Sequence, residues 1–140
     1  MLSAAIRHEV EILNQIAKMD ISPKQKLEKS VATFVKRAMH NPQLAYSLIF
    51  EPVDSEMEHA RFQSKQLIKQ TIQEVLAEGK NNGTFTFEDI NIAALGVVGA
   101  MTFVVIEPLN PSHNVVFDQA YIDHFVQQIA DFCVNAVQRP

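Results

Sequence analysis

Five histidines, sixteen carboxylates and a single cysteine are the residues of this 140-residue sequence best suited to chemistry. The metal-ligand candidates are His8, His40, His59, His113 and His124 with neighbouring carboxylates. Asp54 and Glu58 stand one helical turn apart on a shared face, whereas His59, next in sequence, points elsewhere. These residues do not converge at a zinc or calcium spacing, and a solvated acidic helix start is the expected reading. Asp123 can orient the His124 imidazole, but no serine or cysteine is placed to give it a proton. Cys133 sits among apolar residues at helix-face spacing and reads as a small buried hydrophobe. The stretch from Gly79 to Gly83 is not followed by the Gly-Lys-Ser/Thr that a phosphate-cradling loop requires. The expectation is a protein that is not an enzyme, with no catalytic residues, no metal and no cofactor.

Composition narrows the classes further. The net charge is −4, and Lys24, Lys26 and Lys29 form the densest basic group, so no surface suited to a phosphate backbone is evident and the chain is not expected to bind DNA alone. One cysteine excludes an internal disulfide and fits a reducing compartment. The start Met-Leu-Ser-Ala-Ala-Ile-Arg-His-Glu lacks the features of a secretory signal, so a cytoplasmic location is expected. With 47% hydrophobic and 20% charged residues, the chain is expected to form one globular domain over residues 1–140.

Four glycines and six prolines fall mostly between apolar-periodic stretches, which points to an all-α bundle of about six helices. From Leu2 to Met19, Ile6, Val10, Leu13 and Ala17 make one stripe, widened by Ile12 and Ile16. Ser22 is placed to cap a second helix, Pro23 to His40, with Pro23 in its first turn and Leu27, Val31, Phe34, Val35 and Ala38 buried. Asn41-Pro42 ends it, and a short helix through Leu44, Ala45, Leu48 and Ile49 closes at Glu51-Pro52. A long helix capped by Asp54 runs to Glu78, with Met57, Ala60, Ser64, Leu67, Ile68, Thr71, Ile72 and Val75 facing inward. Gly79 and Asn81-Asn82-Gly83 are expected to end it in left-handed conformations. Thr84-Phe85-Thr86 has strand character but is too short and lacks an evident partner.

The stretch from Ile90 to Ile106 is apolar nearly all round, which means burial on every side or a membrane. It falls short of the ~20 apolar residues of a span, includes Asn91 and Thr102, and lacks basic flanks, so no membrane association is expected. A domain of this size has difficulty hiding such a helix within one chain. The last helix, Phe117 to Gln138, adds a second apolar face, with Ile122, Val126, Ile129 and Cys133 on one side and Tyr121, Phe125 and Phe132 toward another. A homodimer follows, in which the last two helices of each copy form a four-helix bundle. Its expected interface comprises Ala93, Gly96, Val97, Ala100, Val104, Ile122, Phe125, Val126, Ile129 and Cys133.

This order resembles the C-terminal domain of TetR-family regulators. The closest local likeness is Asn-Pro-Gln-Leu-Ala-Tyr-Ser-Leu-Ile-Phe-Glu-Pro-Val-Asp-Ser-Glu-Met-Glu from Asn41 to Glu58, whose wording is similar to a signature of one TetR subgroup. The Arg61-Phe62 step, the Glu78-Gly79 ending and Phe87-Glu88-Asp89 before the small-residue-rich helix extend it over nearly the whole chain. What the resemblance implies is a transcriptional repressor in which a small hydrophobic or amphipathic effector shifts the first helix between two positions. That helix would move an N-terminal helix-turn-helix domain, to which nothing here corresponds. The chain is then either the sensing domain of a longer regulator, the expectation here, or a naturally shortened protein, and DNA is a partner only through the missing domain.

In such domains the pocket lies among the first, second and long helices, closed by the apolar helix. Its candidate wall is Phe34, Met39, Tyr46, Phe50 and Phe62 with Met101, and its candidate polar groups are His40, His59, Arg61 and Thr71. Each aromatic is also explicable as core packing. Phe62 is explained least well that way, lying roughly 130° from the Met57/Ile68/Val75 stripe at ~100° per residue. Two other readings stay open: a homodimeric module that engages another protein through its acidic Glu51–Glu58 region without a small ligand, and a small helical enzyme.

Overall fold

The computed structural model describes residues 4–41, 55–109 and 118–140. Six helices are present among them: α1 (Ala4–Ala17), α2 (Pro23–His40), α3 (Ser55–Asn81), α4 (Ile90–Phe103), α5 (Ile106–Leu109) and α6 (Gln119–Val137). The short helix expected through Leu44–Ile49 and the Asp54 cap lie outside the described residues.

Local chemistry sets the helix starts. Ser22 Oγ accepts from the Gln25 amide while the Gln25 side chain accepts from the Ser22 amide, a reciprocal capping box with Pro23 in the first turn. Asp89 caps α4 by accepting from the Ile92 amide, and Asp118 caps α6 by accepting from the Tyr121 amide.

α2 is the central element. It packs against α6, α3, α1 and α4, and Leu27, Val31, Val35 and Ala38 are completely buried. α1 lies on α3 and α2 through Ile6, Leu13 and Ile16, whereas Val10 and Ala17 are half-buried at the margin. α3 contributes Ile68, Ile72, Val75 and Leu76, the last absent from the expected inward face. Among the described residues, two ion pairs cross between helices: Lys26 Nζ to Glu78 Oε2 at 2.7 Å, joining α2 to α3, and Arg37 Nε to Glu9 at 2.7 Å, joining α2 to α1. Thr71 Oγ1 donates to Asn14 Oδ1 at 2.6 Å, tying α3 to α1.

The end of α3 departs from expectation. Gly79 is helical, α3 continues to Asn81, and only Gly83 has a positive φ, at 83°. Gly79 serves a different need: a Cβ there would stand 2.0 Å from the Phe85 ring. Phe85, 2% exposed, seals the core at this point. Its segment also finds the partner that the sequence did not reveal, an isolated antiparallel bridge to Gln138. The Thr86 amide donates to the Val137 carbonyl at 2.8 Å, and the Arg139 amide to the Thr84 carbonyl at 3.0 Å, so the α3–α4 turn holds the end of α6.

Gly79→Ala should therefore lose about 1–3 kcal/mol in urea denaturation, because overpacking at the ring outweighs the gain in helix propensity. In a Phe85→Ala background the same change should be neutral or stabilising; an equal loss there would refute the close-packing account.

Candidate functional site

The expected interface and the expected pocket fare differently. α4 is apolar around its circumference, but its two sides are not alike. Ala94, Val97, Val98, Met101 and Thr102 face the core, and Thr102 Oγ1 is satisfied by the Val98 carbonyl at 2.7 Å. The opposite side carries Ile92 (65% exposed), Leu95 (50%), Gly96, Gly99 and Phe103 (66%), recurring at helical steps of three and four. On α6, Tyr121, Phe125 and Ile129 are half-buried and Phe132 is 66% exposed, again one stripe. Tyr121 and Phe125 stack with ring centroids 6.2 Å apart.

Between the two stripes runs an open groove of about 460 Å³. Gly96 and Ala100 on α4 and Ala136 on α6 leave it room, Val97 and Cys133 line its base, Phe132 stands over it, and Glu88 and Asp89 mark one end. Of the expected interface residues, Gly96 is exposed and Ala93, Ala100, Val104, Phe125 and Ile129 are half-buried on this side. Val97, Ile122, Val126 and Cys133 are buried within their own chain, at 3%, 5%, 8% and 1% exposure, so their first role is the core. Period alone could not tell which side of an all-apolar helix faces inward. Ile92, Leu95 and Phe103 are exposed on this side but were not among the expected interface residues, and Phe132, expected on the second apolar face of the last helix, is exposed there.

The expected pocket residues divide three ways. Phe34, Met39 and Met101 share the core cluster, at 1%, 5% and 0% exposure, and Thr71 is buried with its hydroxyl committed to Asn14. All four are buried, Phe34 and Met39 on α2, Thr71 on α3 and Met101 on α4. His59 is exposed on α3, and Phe62 is 60% exposed, so its outlying angle places it toward solvent and not in the core. Tyr46 and Phe50 lie outside the described residues. No group of three or more His, Cys, Asp or Glu side chains capable of holding a metal occurs among the described residues.

A second cavity, of about 600 Å³, opens beside α1 and the C-terminal half of α2 and is lined by Glu9, Thr33, Lys36, Arg37, His40 and Asn41. Arg37 Nε donates to both Glu9 oxygens, at 2.8 and 2.7 Å. The hydrogen bond to Glu9 raises the Arg37 pKa above its ordinary value, against the opposing effect of burial.

The fold agrees with what similar proteins show. The family model described as tetracyclin repressor-like, C-terminal domain, matches residues 20–106, more than half of the chain. The chain belongs to this family of TetR-type regulator domains. Among solved structures it is similar to a transcriptional regulator of the TetR/AcrR family from Thermobifida fusca YX-ER1, with a TM-score of 0.73 and 18% identity over 96% of this chain and 69% of that one. It is also similar to a bacterial regulatory protein in the tetR family from Rhodococcus RHA1, with a TM-score of 0.64 and 19% identity over 92% of this chain and 68% of that one. At such identities these two likenesses bear on the fold. A search of curated proteins found no match.

Burial at the base of the groove pushes the Cys133 thiol up to about 11. At pH 8 its iodoacetamide labelling should run on the order of 100-fold slower than in the unfolded chain, since the thiolate is the nucleophile. A folded-state pKa above the unfolded value favours folding below about pH 9 and loses that contribution as pH rises toward about 11. Labelling at the unfolded rate would contradict this placement.

Proposed function

We propose that this chain is the effector-sensing and dimerisation domain of a TetR-type transcriptional repressor. It binds a small hydrophobic or amphipathic effector and acts on DNA, in the cytoplasm, through an attached helix-turn-helix domain. The observation that carries the dimer is the uncovered side of α4 and α6, where Ile92, Leu95, Phe103 and Phe132 stand in water. Covering each such side chain is worth about 1–2 kcal/mol, and a two-fold copy covers both sets at once. A membrane offers the other apolar cover. The apolar run Ile90–Pro108 is long enough to cross a bilayer, but Ala94, Val97, Val98 and Met101 pack one side of it into the chain's own core, which favours a protein partner for the other side.

The effector reading rests on family membership and on how α1 is held. α1 joins α2 and α3 through the Glu9–Arg37 ion pair, the Asn14–Thr71 hydrogen bond and an apolar stripe of Ile6, Leu13 and Ile16. Its position is therefore open to bias by a ligand that enters between these helices and binds one position better than the other. Phe34, Met39, Thr71 and Met101, with Tyr46, Phe50, His59 and Phe62 along the neighbouring segments, are the proposed lining. The alternative, a dimer that engages only other proteins, has no specific observation in its favour.

Light scattering on Leu95→Glu and on Phe132→Glu should give folded monomers where the parent chain gives a dimer. Val97→Glu, which strikes the core, should unfold the chain. Dimers persisting in both of the first two variants would refute this interface. For the effector, a thermal-shift screen of amphipathic compounds should give saturable stabilisation that Phe62→Ala weakens. The absence of any response across a broad set would favour the protein-interaction module.

A further inference from the structure

The cavity beside α1 and α2 carries features that neither the dimer nor the hydrophobic effector uses. Glu9 is a charged side chain only 5% exposed, yet it borders a space of about 600 Å³. Its carboxylate is held by Arg37 Nε alone, and the two terminal guanidinium nitrogens make no hydrogen bond among the described residues. A guanidinium presents a second edge suited to a carboxylate, so half of its recognition capacity is unspent. Lys36 adds a second positive charge, and the charged side chains around the cavity sum to a surplus of one cation over Glu9.

His40 narrows the chemistry. Its Nδ1 lies 2.8 Å from the Lys36 carbonyl, and a carbonyl only accepts, so Nδ1 carries the proton and donates. In the neutral ring Nε2 is then an acceptor, which suits a hydroxyl on the bound molecule. Thr33 and Asn41 add side chains that both donate and accept. Cations near the end of a helix also offset its dipole, but that explains neither the buried Glu9 nor the open space beside it.

We propose that this cavity is a binding site for a hydroxylated organic monocarboxylate, whose carboxylate takes the free edge of Arg37 with Lys36 nearby and whose hydroxyls meet His40, Thr33 and Asn41. The site is coupled to α1. Two carboxylates on one guanidinium repel each other, so an occupied site weakens the Glu9–Arg37 tie and loosens α1 from α2. By linkage, removing the Glu9 charge must strengthen binding. The site is separate from the proposed hydrophobic pocket, and its failure would leave that reading untouched.

The test is isothermal titration of the chain with gluconate at constant ionic strength, with sorbitol as the uncharged match. Gluconate should bind saturably and sorbitol should not. Glu9→Gln should tighten gluconate binding several-fold, and Lys36→Gln should weaken it. Arg37→Gln should weaken binding by roughly tenfold or more, the loss expected for a charge-assisted pair. Because Arg37→Gln leaves Glu9 buried without its partner, the double variant Glu9→Gln/Arg37→Gln provides a neutral pair that should fold and still fail to bind. Hydrogen exchange in α1, but not in α6, should quicken with gluconate. Equal binding of sorbitol, undiminished binding by the double variant, no saturable binding, no tightening in Glu9→Gln or unchanged α1 exchange would each overturn the proposal.

Discussion

A helix that is apolar on both sides must be covered on both sides, and a chain of this size supplies one core. That imbalance governs the arrangement of α4. Ala94, Val97, Val98 and Met101 are enclosed by the chain's own helices, whereas Ile92, Leu95 and Phe103 are left facing out. The cost of leaving such side chains in water is a standing drive toward association, and it falls beside the outer stripe of α6, so the two helices offer one continuous surface. The small residues between the stripes give that surface relief, a groove instead of a flat patch.

The other end of the molecule is organised by polar ties. Glu9–Arg37, Asn14–Thr71 and Lys26–Glu78 each join two helices, through residues 28, 57 and 52 positions apart. Part-buried ties of this kind contribute little net stability but penalise misplacement, since the buried partner is left unsatisfied when they separate. Two of the three hold α1. The proposed dimer surface and the proposed switching helix thus draw on different physics, apolar area for the first and directional pairing for the second. A change at one need not disturb the packing of the other.

The candidate sites were legible to different degrees for physical reasons. A greasy helix too apolar for one core is visible in composition, so an exposed apolar surface was readable even though its outward face was not. The pocket was harder. Phe34 and Met101 look alike in sequence whether they line a cavity or fill a core, and both are buried in the folded chain. Phe62 stood off the inward stripe, which correctly marked it as outside the core but did not say that it faces solvent. The Glu9–Arg37 cavity left no local signature, because its residues come from two helices and its meaning lies in their approach.

The sequence by itself determined the helices, the cap at Ser22, the all-α class and the resemblance to TetR-type domains that the family match then bore out. These are local properties: periodicity, turn chemistry and composition act over a few residues and survive without neighbours. Tertiary structure alone decided which side of α4 is open, why Gly79 must be glycine, that Phe85 finds Gln138, and that a buried carboxylate meets Arg37. Each depends on distances between segments far apart in sequence, and a side chain's type does not reveal which neighbour will reach it.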